Sequence, residues 1–139
     1  MNRNYYNGLE MIYGIGTDIC CVRGIERSYA KRGDLFASEF CNSNELKHVN
    51  EAASPATYLA KIFCAKECIG KAVGSGLIPE FWWDDIEVSF RSMCSEVFLS
   101  ENGLCYISEK LSTNGPWKVD ISISNSNSFV SGICVISAS

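Results

Sequence analysis

One long, well-punctuated helical pattern constrains this chain more than any other feature. Ser54-Pro55 has the form of a helix start, an N-cap residue followed by proline at the first helical position. Gly74-Ser75-Gly76 has the form of a stop. Between them Leu59, Ile62, Phe63, Lys66, Ile69 and Val73 recur at helical spacing, which predicts a helix from Ala56 to about Val73 with a wide apolar stripe. The remaining segments are short. Ile12 to Asp18 reads as a buried first strand; Ile86, Val88 and Phe90 alternate as another; Glu96–Leu99 follows after a turn through Arg91–Ser95. Lys118–Ser124 and Phe129–Ile136 close the chain around the polar turn Asn125-Ser126-Asn127-Ser128.

Shorter helices are expected at three places. One covers Val22 to Arg32. A second opens at the capping-box pattern Asn42-Ser43-Asn44-Glu45 and runs toward Glu51. A third spans 101–112, where Leu104, Ile107 and Leu111 hold helical spacing against the hairpin that Asn102-Gly103 would favour. The expected fold is α+β: an antiparallel sheet packed with one long and several short helices, in a single domain. Residues 1–10 are polar and patternless and read as a leader ahead of a domain over 11–139.

Composition narrows the partners. An apolar fraction of 47% with 20% charged residues is that of a globular chain. No apolar run approaches the ~20 residues of a membrane span, and no basic segment leads into a signal-like apolar one. A net charge of −4 argues against general nucleic-acid binding and against anionic membrane surfaces. A cytoplasmic protein with neither nucleic acid nor membrane as partner is expected. The eight cysteines include no C-x-x-C pair, and His48 is the single histidine, so the usual zinc spacings are missing. Reduced, mostly buried structural thiols are the expectation.

Three features carry chemistry when taken together. Gly14-Ile15-Gly16-Thr17-Asp18 ends the first strand, with glycines that permit a close backbone approach and a carboxylate at the strand end. It lacks the third glycine and directly following helix of a dinucleotide fingerprint. Within the long helix, Glu67 and Lys71 stand four apart and therefore on one face. By itself such a pair is a surface ion pair worth about 0.3–0.5 kcal/mol. The small residues of Gly74-Ser75-Gly76 would otherwise be only a helix stop, but they suit a backbone nest for phosphate. A hard divalent cation with phosphates makes the set cohere, since Mg²⁺ is typically held by one or two carboxylates plus substrate phosphates. Asp18 and Glu67 would supply the carboxylates and Lys71 a positive charge for a phosphate oxygen, an arrangement suited to phosphoryl-type transfer.

At these residues the chain resembles the holo-(acyl-carrier-protein) synthases, small 4′-phosphopantetheinyl transferases. The likeness runs from Met11 to Ser137. It rests on Ile12-Tyr13-Gly14-Ile15-Gly16-Thr17-Asp18-Ile19 together with Tyr58-Leu59-Ala60-Lys61-Ile62-Phe63-Cys64-Ala65-Lys66-Glu67-Cys68 and Lys71 through Gly76. The resemblance implies transfer of the phosphopantetheine arm of coenzyme A to a serine of apo acyl carrier protein, with release of adenosine 3′,5′-bisphosphate, in fatty-acid synthesis. It implies Mg²⁺ on Asp18 and Glu67, Lys71 on the pyrophosphate, and Glu67 or a water on the metal as acceptor of the serine proton. Gly74, Ser75 and Gly76 would line the nucleotide side, with Asn125 nearby. A homotrimer with active sites at its interfaces is likewise implied.

The local charge fits such a partner. Arg23, Arg27, Lys31 and Arg32 form a basic helix on an acidic chain, where the family docks its acidic carrier. The turn around Met93-Cys94-Ser95 replaces the Gly-Lys-Pro typical of the family, and three single positions also depart: Gly24 where the docking helix carries an arginine, Ile62 where a basic residue is common, and Asn125 where many relatives have a histidine. They leave a non-catalytic scaffold that binds coenzyme A or a carrier protein as the rival reading. A cysteine-based metal or redox module, suggested by Cys20-Cys21 and by Cys64 with Cys68, fails on ligand spacing.

Overall fold

The computed structural model describes residues 11–90 and 94–139. The expected leader over 1–10 and the first part of the turn, Arg91 to Met93, lie outside the described residues. In chain order the elements are β1 (Ile12–Cys21), α1 (Val22–Arg32), α2 (Asp34–Ala37), α3 (Ser43–Glu51), α4 (Pro55–Val73), β2 (Ile86–Ser89), β3 (Glu96–Leu99), α5 (Glu101–Lys110), β4 (Trp117–Asn125) and β5 (Phe129–Ala138). A single 3₁₀ turn, Trp83–Asp85, leads into β2.

The strands form two antiparallel sheets rather than one. The larger has the order β1-β5-β4, and β2 pairs with β3 in a separate ribbon. In the larger sheet Asp18 lies opposite Gly132 and Ile133 opposite Thr17. Helix α4 crosses the inner face of β1 and β5 and carries the centre of the core, with Leu59, Ile62, Cys64, Ala65, Cys68 and Ile69 fully buried. The hydrophobic pattern therefore did place the long helix, and its ends are where the sequence puts them. Pro55 occupies the first turn, and Gly74 closes the helix at φ 92°, a left-handed conformation that glycine adopts without a Cβ penalty. The hydroxyl of Ser54, however, bonds Thr57 Oγ1 at 2.9 Å and caps no backbone amide.

Two glycines set how close β1 comes to α4. A Cβ at Gly14 would sit 1.9 Å from the Ala72 carbonyl oxygen, and one at Gly16 would sit 2.0 Å from that of Cys68. Any side chain there would force the strand off the helix. The short helices agree with expectation at α1 and α3, where Asn42 and Glu45 form the reciprocal capping box. The helix at 101 ends at Lys110, and Ser100 caps it through the Gly103 amide at 2.9 Å, so no hairpin forms at Asn102-Gly103. Strand β1 runs to Cys21, beyond the expected Asp18, because β5 is long enough to pair with all of it. The brief α2 has too few residues to show a periodic pattern and was not anticipated.

Candidate active site

The close approach of β1 to α4 brings the chemical residues together. Asp18 stands on β1 with its side chain 15% exposed, and Lys71 projects from the last turn of α4 with its side chain 48% exposed. The Lys71 ammonium donates to Asp18 Oδ1 at 2.8 Å and to the carbonyl oxygen of Thr17 at 3.0 Å. Its hydrogen bond to Asp18 holds the ammonium above the usual lysine range; burial opposes this, and the negative charges of Asp18 and Glu67 add to it.

Glu67, one turn earlier on the same face, is half-buried. Burial pushes its carboxyl up, the negative charge of Asp18 pushes it further, and the Lys71 ammonium draws it part of the way back. The two carboxyls thus repel each other, and the Lys71 ammonium offsets that repulsion only in part. Relief of that repulsion is what a divalent cation would supply. Among the described residues no cluster of three or more His, Cys, Asp or Glu could hold a metal by protein ligands alone. A pair of carboxylates suits Mg²⁺, which accepts few protein ligands and completes its shell with water and phosphate oxygens. The donor set therefore fits the expected ion.

The other expected site residues divide. The amide of Gly74 donates to the Gly70 and Lys71 carbonyls, and that of Gly76 to Gly70 at 3.0 Å. These amides close the helix end, so a phosphate nest of the glycine amides is not what the turn presents. What the turn contributes at that end of α4 is small residues beside Lys71. Asn125 is not in the Asp18–Glu67–Lys71 group; it ends β4 and, with Ile19, Ser124, Ser126, Phe129 and Ser131, lines a shallow cavity of about 310 Å³. Arg23, Arg27 and Lys31 are exposed on α1. Arg32 instead pairs with Glu39 and lies over the Phe36 ring at 6.0 Å, so it is already engaged within the chain. Ile62 is fully buried in the core, which removes that position from any phosphate contact, whereas Gly24 is open to solvent with nothing near its would-be Cβ.

The thiols behave as small buried groups. Cys20, Cys41, Cys64, Cys68 and Cys134 are buried and all eight cysteines are free. Burial pushes Cys20 up to about 11 and Cys41 and Cys134 up to about 12. Cys64 donates toward the Asp18 carbonyl oxygen at 3.5 Å, which ties α4 once more to the strand that carries the acid.

The sequence pattern did not reveal one polar cluster. Lys66, within the apolar stripe, and Glu45, in the capping box of α3, form a fully buried ion pair at 2.8 Å. The signal was there to be used: a lysine within an apolar stripe must find an anionic partner, because an unpaired buried charge is too costly to survive.

Comparison with known proteins gives a consistent result. A family model described as the 4′-phosphopantetheinyl transferase superfamily matches residues 14–123. A holo-[acyl-carrier-protein] synthase of Neisseria meningitidis serogroup A is 34% identical over 125 residues, covering 90% of this chain and 98% of the relative. The crystal structure of a holo-[acyl-carrier-protein] synthase from Neisseria meningitidis superposes with a TM-score of 0.78 at 33% identity, covering 91% of this chain and 98% of that one. A holo-(acyl-carrier-protein) synthase from Bacillus anthracis, solved in complex with CoA (3′,5′-ADP), gives a TM-score of 0.73 at 28% identity over 93% of this chain and 99% of that one.

Proposed function

Because this chain belongs to the 4′-phosphopantetheinyl transferase superfamily, we propose that it acts as a holo-(acyl-carrier-protein) synthase, moving the phosphopantetheine arm of coenzyme A to a serine of apo acyl carrier protein. The observation that carries the reading is the meeting of Asp18, Glu67 and Lys71 from two elements held together by Gly14 and Gly16. The serine oxygen forms a bond to the phosphorus that bears the pantetheine arm. The bond from that phosphorus to the bridging oxygen breaks, and adenosine 3′,5′-bisphosphate leaves. Glu67, or a water beside it, accepts the serine proton.

Asp18 and Glu67 would hold Mg²⁺, which supplies charge neutralisation for the pyrophosphate. Lys71, on the exposed side of the pair, places its ammonium where negative charge grows on the leaving oxygen. Catalysis of this kind rests on positioning and charge rather than on covalent help from the protein. Gly74, Ser75 and Gly76 leave room on the nucleotide side.

The assembly belongs to the same proposal. Ile15, Ile19, Phe129 and Ile133 are 42–67% exposed, and the strand register puts them on the outer face of the large sheet, away from α4. An apolar sheet face of this kind marks an interface, and a homotrimer that covers it would bring Asn125 and its cavity toward a neighbouring subunit's site. Arg23, Arg27 and Lys31 offer the acidic carrier a docking charge that the acidic chain otherwise lacks. A cytoplasmic role in fatty-acid synthesis belongs to the same proposal; among the described residues no helix is long and apolar enough to cross a membrane.

The test is incubation with coenzyme A, Mg²⁺ and apo acyl carrier protein. Mass spectrometry should show one phosphopantetheine added to the carrier serine, with stoichiometric adenosine 3′,5′-bisphosphate. Binding of coenzyme A with no bisphosphate released would instead identify a scaffold.

A further inference from the structure

The proposed chemistry leaves unused the most expensive polar group in the core. Lys66 is wholly buried, and its ammonium donates to Glu45 Oε2 at 2.8 Å, to the carbonyl oxygen of Phe40 at 2.8 Å and to that of Trp83 at 3.1 Å. An ammonium has three donors, so none is left over. Glu45 is equally occupied, accepting from the Asn42 amide at 2.9 Å and from the Val88 amide at 2.8 Å besides Lys66. The two side chains thus fasten α4 to the start of α3, to the 3₁₀ turn before β2 and to β2 itself. Around them Phe40, Phe63 and Trp83 pack ring against ring at 5.4–5.9 Å.

Stability alone is a poor reason for such a pair. Exchange of a buried ion pair for apolar residues of similar volume is commonly neutral or stabilising, whereas loss of one partner is strongly destabilising. What a saturated pair does provide is direction, because its hydrogen bonds tolerate little rotation. Lys66 immediately precedes Glu67, and successive residues are separated by about 100° around a helix. Fastening Lys66 on the β2 side therefore sets which way Glu67 faces over β1. On the other flank the glycine contacts of β1 fix how near α4 lies, and Cys64 and Lys71 bond to Asp18 and Thr17, so Lys66 holds the helix from the side opposite these bonds.

We propose that Lys66 is a positioning residue: its bonds to Glu45 and to the Phe40 and Trp83 carbonyls set the rotation of α4 that aims Glu67 at Asp18. This rests on the transferase reading above. The decisive variant is Lys66→Met/Glu45→Met, which removes both charges at nearly constant volume, assayed in the full chain beside Lys66→Met and the parent. The single variant should lose stability. The double variant should regain cooperative unfolding with a midpoint close to the parent's while kcat stays ~10- to 100-fold down and KM for coenzyme A stays within about twofold. A purely structural pair would restore kcat together with stability. A double variant that is as active as the parent, or that fails to fold, overturns the proposal. A parent that transfers nothing overturns the transferase reading instead, and the two failures are separate observations.

Discussion

The Lys71 ammonium stands 2.8 Å from Asp18 Oδ1 and 3.0 Å from the Thr17 carbonyl oxygen, so one side chain in the last turn of α4 is bonded twice to β1. That contact joins groups 53 residues apart in the chain and places an ammonium beside two acids. Because the Lys71 side chain is 48% exposed, its worth to stability is that of a surface pair, at most about 1 kcal/mol. In the proposed phosphoryl transfer its worth would be larger. Lys71→Met should lower kcat by ~10²- to 10³-fold, the usual cost of one charge-stabilising donor, with the thermal midpoint nearly unchanged. A loss of stability in proportion to the loss of rate would show that the lysine serves the fold alone.

Glu67→Gln separates chemistry from folding more sharply. Burial and Asp18 raise the Glu67 carboxyl above its ordinary value, against the pull of Lys71. A carboxyl raised in the folded state contributes stability below its unfolded pKa near ~4.3, and that contribution is lost as pH rises through the folded value. Above that value the carboxylate is a burden on the fold, so without divalent cation the glutamine variant should melt no lower than the parent. Transfer should nonetheless fall by orders of magnitude. In the proposed site protons and Mg²⁺ would compete for the same carboxylate, so the apparent Mg²⁺ requirement of the parent should rise as pH falls. Turnover of the variant near that of the parent would remove Glu67 from the site.

Gly16→Ala tests the closeness of strand and helix. The new Cβ would lie 2.0 Å from the Cys68 carbonyl oxygen, backbone that cannot step aside. Overpacking of this kind costs about 1–3 kcal/mol, and any relief must move β1, and Asp18 with it, away from α4. Both the unfolding midpoint and the rate should drop. An alanine variant as stable as the parent would mean that the strand does not need this approach.

Thiol chemistry offers an inexpensive map of the core. Cys21, Cys94 and Cys105 are exposed, whereas the other five are buried. Burial also holds Cys20, Cys41 and Cys134 at about 11 to 12, far from the thiolate form at pH 8. Brief alkylation of the native protein should label the three exposed sites first, with the remainder reacting only after unfolding. Rapid labelling of Cys64 or Cys134 would contradict the packing of α4 on β5.

The outer sheet face should control assembly. Ile133 is 42% exposed and lies opposite Thr17, in the apolar row shared by β1 and β5. Ile133→Glu places a charge in the proposed interface and should shift the sedimenting species from trimer toward monomer, with loss of transfer. A parent that sediments as a monomer at assay concentration would withdraw the interfacial site.

Much of this molecule was legible from residue order because local physics governs it. The proline start and glycine stop of α4, the Asn42–Glu45 capping box and the alternation of β4 and β5 depend on neighbours a few positions away, and each element lies where the pattern places it. Asp18, Glu67 and Lys71 could be named as candidates through residue type and helical spacing, and the structure brings the three near one another. Tertiary structure alone decided what those residues meet. Nothing in the sequence states that Gly14 and Gly16 press against the carbonyls of Ala72 and Cys68, that Arg32 is engaged by Glu39, or that the amides of Gly74 and Gly76 turn back into the helix. Nor does spacing show that Lys66, an apparent interruption of an apolar stripe, finds Glu45 twenty-one positions away in the core. Local propensity acts over one or two turns, whereas the burial of a charge and the contact of two backbones depend on how distant segments stack.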